Sequence, residues 1–132
     1  MYTHPVTVRL FHTDAAGVLF YGQQFMLMEE ALEAALAQVG LPVGADPRAM
    51  PVMPVVVHAD GDYRAPVRCG DRLDITVSVS AIGETSLTFM YRLLRSGVEV
   101  GLGRTIHVCL DSRTGTASAV PPQWRAALAA LA

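Results

Sequence analysis

The stretch Gly22-Gln23-Gln24-Phe25-Met26-Leu27-Met28-Glu29-Glu30-Ala31-Leu32-Glu33-Ala34-Ala35-Leu36-Ala37-Gln38-Val39 decides the fold. Phe25, Met28, Leu32, Leu36 and Val39 recur at helical spacing, which predicts one long helix. Gly40 stands where a left-handed C-cap belongs, and Pro42 prevents continuation. From Phe25 to Val39 only Glu29, Glu30, Glu33 and Gln38 are polar. A helix that is apolar nearly all round is buried on most sides, so the rest of the chain is expected to wrap it.

The flanking sequence supplies a wrapper. Upstream, Pro5–Leu10 alternates, with Val6, Val8 and Leu10 on one face, as a half-buried strand does. Downstream, Leu41–Pro51 reads as a loop. Strand-like segments follow at about Met53–Arg64, Arg72–Ser80, Ser86–Arg95 and Val98–Leu110. Gly83 and Ser96-Gly97 mark hairpin turns. Gly101 and Gly103 leave two positions without side chains on one strand face, a sign of a bulge or of close backbone approach. A short hairpin arm at Ser112–Ala117 and a helix from about Pro122 to Leu131 complete the reading. One strand, one buried helix and four consecutive antiparallel strands make an α+β fold, a single domain over residues 1–132 whose curved sheet rolls around the helix. Its edge strands need covering or pairing.

Composition narrows the function. Of 132 residues 52 % are apolar and 17 % charged, against about 25 % charged in an ordinary globular chain. That surplus over the small surface of one domain points to self-association. Ten basic against twelve acidic residues give a net charge of -2, and no basic stripe is present, which argues against nucleic acid. No apolar run is long enough for a membrane span. Cys69 and Cys109 show no metal-ligand spacing and suit a reducing cytoplasm, and the opening Met1-Tyr2-Thr3-His4-Pro5 lacks the features of a signal peptide.

The chemistry concentrates between the first strand and the helix. Asp14 lies in apolar company in Thr13-Asp14-Ala15-Ala16-Gly17, where an aspartate ordinarily bonds its own turn. The helix that follows has no Ser, Thr, Asp or Asn to cap it near Tyr21–Gln24. Its first N–H groups are therefore expected to be open, at the positive end of the dipole. A carboxylate beside such donors is a minimal acyl-transfer site. His12 is two residues from Asp14, as a proton shuttle or as filler. His58 and His107 fall on separate strands, and Glu29, Glu30 and Glu33 share one helical stripe that is either solvated or turned toward a neighbour's pocket. No nucleophile elbow, phosphate loop or metal cluster is found, and no metal or redox cofactor is called for.

The segment Thr13-Asp14-Ala15-Ala16-Gly17-Val18-Leu19-Phe20-Tyr21, followed by Glu29-Glu30-Ala31, resembles the 4-hydroxybenzoyl-CoA thioesterase family of hot-dog-fold proteins. A second match is Tyr63-Arg64-Ala65-Pro66-Val67-Arg68-Cys69-Gly70-Asp71-Arg72-Leu73, and the likeness runs from about Val6 to Cys109. It implies a sheet around a long central helix, and dimers formed by strand pairing, often assembled as a homotetramer. It implies Asp14 as the catalytic carboxylate, the Tyr21 N–H as the group that polarises a thioester carbonyl, and Gly17 and Gly22 at the substrate. Pro54-Val55-Val56-Val57-His58-Ala59, Ile106-His107-Val108-Cys109 and Pro121-Pro122-Gln123-Trp124 look like the members acting on 1,4-dihydroxy-2-naphthoyl-CoA, with His58 as a contact to a phenolic substrate. The turn Ile82-Gly83-Glu84-Thr85-Ser86 departs from relatives that hold CoA phosphates with basic residues there, which leaves Arg64, Arg68 or Arg92 for that role. A non-catalytic acyl-thioester-binding module, a thioesterase for aliphatic acyl-CoA or acyl carrier protein, and a dehydratase are the alternatives.

Overall fold

A computed structural model describes residues 1–44, 46 and 49–132. Strand β1 spans Tyr2–Thr7, helix α1 Tyr21–Gln38, β2 Val52–Tyr63, β3 Arg72–Ile82, β4 Ser86–Arg95, β5 Val98–Asp111 and helix α2 Pro122–Leu128. The five strands form one antiparallel sheet in the order β1-β3-β4-β5-β2, leaving β1 and β2 as the edges. Helix α1 lies across one face of that sheet, which is the hot-dog arrangement. No helix among the described residues is long and apolar enough to cross a membrane.

Alternation builds the core. Leu73, Ile75 and Val77 of β3 and Leu87, Phe89, Tyr91 and Leu93 of β4 are all buried toward α1. The helix answers with Leu27, Met28, Ala31, Leu32 and Ala35. The burial expected around most of the helix is confined to this face: Met26 is 63 % exposed, and Glu29, Glu30 and Glu33 are exposed too. One chain's sheet covers one side of a cylinder and no more.

Two expected boundaries change. The first strand covers Tyr2–Thr7 and not Pro5–Leu10; Leu10 opens a 3₁₀ turn through His12 and is 76 % exposed. Val8 alone continues the inward face, fully buried. The C-terminal helix ends at Leu128 and tightens into a 3₁₀ turn over Ala129–Leu131. Ser96 and Gly97 have φ of 50° and 79°, the left-handed pair that a primed hairpin turn requires.

The glycines of β5 mark a close approach. Gly103 pairs with Gly61 and Gly101 with Tyr63, giving a floor without side chains under the first half of α1. A Cβ at Gly103 would collide with the Met28 thioether, and one at Gly101 would lie 2.8 Å from Gln24 Oε1. The buried Gln24 amide donates across this floor to the carbonyls of Asp62 (3.2 Å) and Leu102 (3.0 Å). Gly101→Ala is therefore expected to displace that amide and destabilise the fold by about 1–3 kcal/mol, measured by urea denaturation; a stability equal to the parent's would refute the close-packing account.

Candidate active site

The chain enters α1 through a closed loop. Phe20 N–H donates to His12 O (2.9 Å), Asp14 N–H to Val18 O (3.0 Å), and Thr13 bridges Leu19. Gly17, at φ 76°, makes the reversal possible. This folds Asp14 back beside the start of the helix. Its Oδ1 accepts the N–H of Ala16 (2.9 Å) and, more weakly, that of Val18 (3.5 Å). Asp14 is thus the turn aspartate its position suggested, but only through one oxygen. Oδ2 has no hydrogen-bond partner among the described residues, and the side chain is exposed.

The helix end is uncapped. Phe20 occupies the N-cap position with no side-chain acceptor, and the Tyr21 and Gly22 N–H groups bond to no described residue. They are donors backed by the dipole of an 18-residue helix. Tyr63, at the end of β2, donates its hydroxyl to the Tyr21 carbonyl (2.9 Å), and the Gln24 amide ties the next residues to β2 and β5. Burial, with Tyr21 adjacent, raises the Tyr63 pKa and keeps that donor protonated.

The other candidates separate. His12 is buried, and its Nδ1 accepts the Arg9 N–H at 2.8 Å, so it fills the turn. His58 is not brought to Asp14 and Tyr21. A bulge at Val57 shifts the register of β2: Val56 pairs with His107 and lines the space under the helix, whereas His58 pairs with Ile106 and turns outward. There it bonds Asp60 at 2.7 Å, which also holds Arg104. Hydrogen bonds from His58 and Arg104 hold the Asp60 carboxyl below its usual range. The glutamate stripe divides: Glu30 pairs with His4 of β1 at 2.8 Å, while Glu29 faces a cavity. Exposed overall but partly desolvated where it borders the cavity, and beside Glu33, Glu29 has a raised pKa.

Among the three arginines, Arg92 pairs with Glu99 at 2.8 Å and Arg64 lies 3.7 Å from Asp62. The Arg68 guanidinium sits against Gly17 of the Asp14 turn, 4.0 Å from where a Cβ would stand. Its loop is anchored there by Leu19 N–H to Val67 O at 2.7 Å and by Arg95, which bonds Pro66 O and Asp71. Cys69 and Cys109 are both free thiols.

Beneath the second half of α1 the sheet and helix part. The gap is a cavity of about 450 Å³, walled by side chains such as Leu32, Leu36, Met53, Val56, Phe89 and Leu128, with Glu29 and His107 as the ionisable groups among the described residues that line it. Its size is that of a small-molecule pocket. Sequence reasoning found neither the Gln24 and Tyr63 tethers nor this cavity. The glycine pair on β5 was the available signal for the first.

Residues 8–128 match the family profile of the Thioesterase-like superfamily. A 1,4-dihydroxy-2-naphthoyl-CoA hydrolase of Synechococcus elongatus is 38 % identical over 116 residues, covering 86 % of this chain and 85 % of that protein. Another, from Gloeothece citriformis, is 30 % identical and covers 91 % and 88 %. The crystal structure of a 1,4-dihydroxy-2-naphthoyl-CoA thioesterase from Synechocystis superposes with a TM-score of 0.90 at 26 % identity, over 98 % of this chain and 96 % of that one.

Burial lowers the pKa of His107, so the folded protein holds it neutral where the unfolded chain would take a proton. Its contribution to stability is whole above the ordinary value of 6.5 and is lost as pH falls from there toward the lowered folded value. As pH falls below 6.5, the parent should thus lose stability more steeply than His107→Leu, in thermal melts over a pH series. Parallel pH profiles would refute the assignment.

Proposed function

We propose that this chain, which belongs to the thioesterase-like superfamily, hydrolyses an aromatic acyl-CoA thioester to the free acid and CoA, with 1,4-dihydroxy-2-naphthoyl-CoA as the best candidate substrate. The observation that carries the chemistry is the pairing of a half-held carboxylate with an open helix N-terminus. A thioester carbonyl placed against the Tyr21 and Gly22 N–H groups becomes more electrophilic, and the oxyanion formed on attack meets donors already in position. Asp14 Oδ2 then attacks the carbonyl carbon or takes a proton from a water that does so. Attack gives an acyl–aspartyl anhydride and expels the CoA thiolate; water then cleaves the anhydride. The names of the relatives support the naphthoyl substrate. Gly17 shapes the turn and Gly22 supplies a donor. His58 is given no part, because its imidazole is bonded to Asp60 on the outer face.

The same reading includes a dimer built on β2, and dimers of that dimer as a tetramer. Val56 and Val57 of this edge strand are 53 % and 59 % exposed, apolar surface that pairing with a second copy would cover. A cytoplasmic setting fits the two free thiols.

Asp14→Asn should reduce kcat for aromatic acyl-CoA by about 10³-fold, read by free-thiol release. A rate equal to the parent's removes Asp14 from the mechanism, and tight acyl-CoA binding without thiol release by the parent would make the chain a binding module. Single turnover in ¹⁸O water separates the two routes, since only the anhydride route can place label in Asp14. Val57→Asp should yield monomers in sedimentation velocity; an unchanged assembly would exclude β2 as the interface.

A further inference from the structure

The face of the sheet turned away from α1 changes character from strand to strand. Residues paired across neighbouring strands share a face, so the buried Phe89 and Tyr91 fix which side is inward. On β3 the outward positions include Asp74, Thr76 and Ser78, the polar pattern of a sheet turned to water. On β5 they include Leu102, Arg104, Ile106 and Val108, mostly apolar, and each is at least partly exposed. Met90 of β4, opposite Arg104, and Val55 of β2, opposite Val108, extend this apolar surface. Both helices pack on the other side, α1 against the core and α2 through Leu128 in the cavity wall, so neither covers it.

The charges on this surface are already paired. Arg104 bonds Asp60 through Nε (2.9 Å) and through a terminal nitrogen (2.7 Å), and His58 bonds the same carboxyl at 2.7 Å. Arg92, opposite Leu102, holds Glu99 at 2.8 Å. A contact made here desolvates charges that bring their own partners, which costs less than burying lone ones. The outward side of α1 is different, because Glu29, Glu30 and Glu33 are all exposed there. Two copies meeting on that side would bring like charges together.

We propose that the outer face of β5 and β2 is the surface by which two β2-paired dimers join, the partner being a second dimer of this chain. This rests on the β2 dimer of the reading above. Antiparallel pairing of β2 with its copy about the strand's midpoint makes one continuous sheet. The order β4-β5-β2 then sets the apolar strands of both copies side by side at its centre. The strip is centred on the twofold axis, as a closed, self-complementary contact requires. Three strands per copy, about 4.8 Å apart, over about seven residues of about 3.4 Å, give a face of roughly 700 Å². A stable interface takes about 800 Å² per partner. Two such faces pack about 10 Å apart, as the sheets of a sandwich do.

Sedimentation velocity tests this with a readout independent of turnover. The parent should run as a tetramer, and Ile106→Glu should halve that mass. Arg104→Glu, at an exposed position, sets a second carboxylate beside Asp60 and should do the same; it decides the matter if Ile106→Glu does not fold. Met26→Glu, on the outward side of α1, should stay tetrameric. A tetramer that survives Ile106→Glu, or Arg104→Glu where that variant stands in for it, overturns the proposal, as does a tetramer that Met26→Glu splits. A dimeric parent overturns it too, unless Ile106→Glu splits that dimer and Val57→Asp does not, in which case the outer face stands and the β2 dimer fails. A monomeric parent overturns both.

Discussion

The contact on which everything else depends is the seating of the first half of α1 on bare backbone. Gly61, Gly101 and Gly103 bring the helix down until Gln24 can bond two strand carbonyls and Met28 fills the space a side chain would occupy. Because the helix is low at this end, its N-terminus lies within reach of Tyr63 and of the loop that carries Asp14. The other end rides on full-sized side chains, and the divergence between them is the cavity. One gradient of residue size along β5, from glycine to threonine, histidine and cysteine, thus produces both the donor-bearing helix start and the pocket.

Electrostatics at the site follows from what has been left out. The turn satisfies one oxygen of Asp14 and leaves the other. Phe20 stands at the N-cap where a serine or aspartate would have occupied the helix donors. Such a cap stabilises a helix by about 1 kcal/mol, and its absence here is compensated by tethers that leave the donors open. Tyr63 and Gln24 hold the helix from its carbonyl side and its buried side. Fixing geometry without covering the N–H groups is what a site for a developing negative charge requires.

Much of this was legible in the amino-acid order. The helix, its glycine stop, the alternating strands and the missing cap are local signals, and each governs its own few residues. The pairing order of the sheet was not legible there, because alternation says which face a side chain takes and not which strand lies beside it. What escaped was relational. Gln24 reads as one more polar helix residue until the glycines beneath it are placed. Leu10 was assigned to a strand because it keeps the alternation of Val6 and Val8, although the backbone has already turned at that point.

The bulge at Val57 bears on how this chain can vary. Before it, β2 presents Val56 to the cavity; after it, Gly61 and Tyr63 face the helix. These residues differ in parity, and a single extra residue reconciles them. Removing that residue would restore a regular strand and turn one half of it inside out, either emptying a cavity wall or pulling the tyrosine from the helix. Side chains along this edge can be exchanged one at a time, but its length cannot drift. Among divergent descendants of such a chain, a count of residues should persist here after the residues themselves have changed.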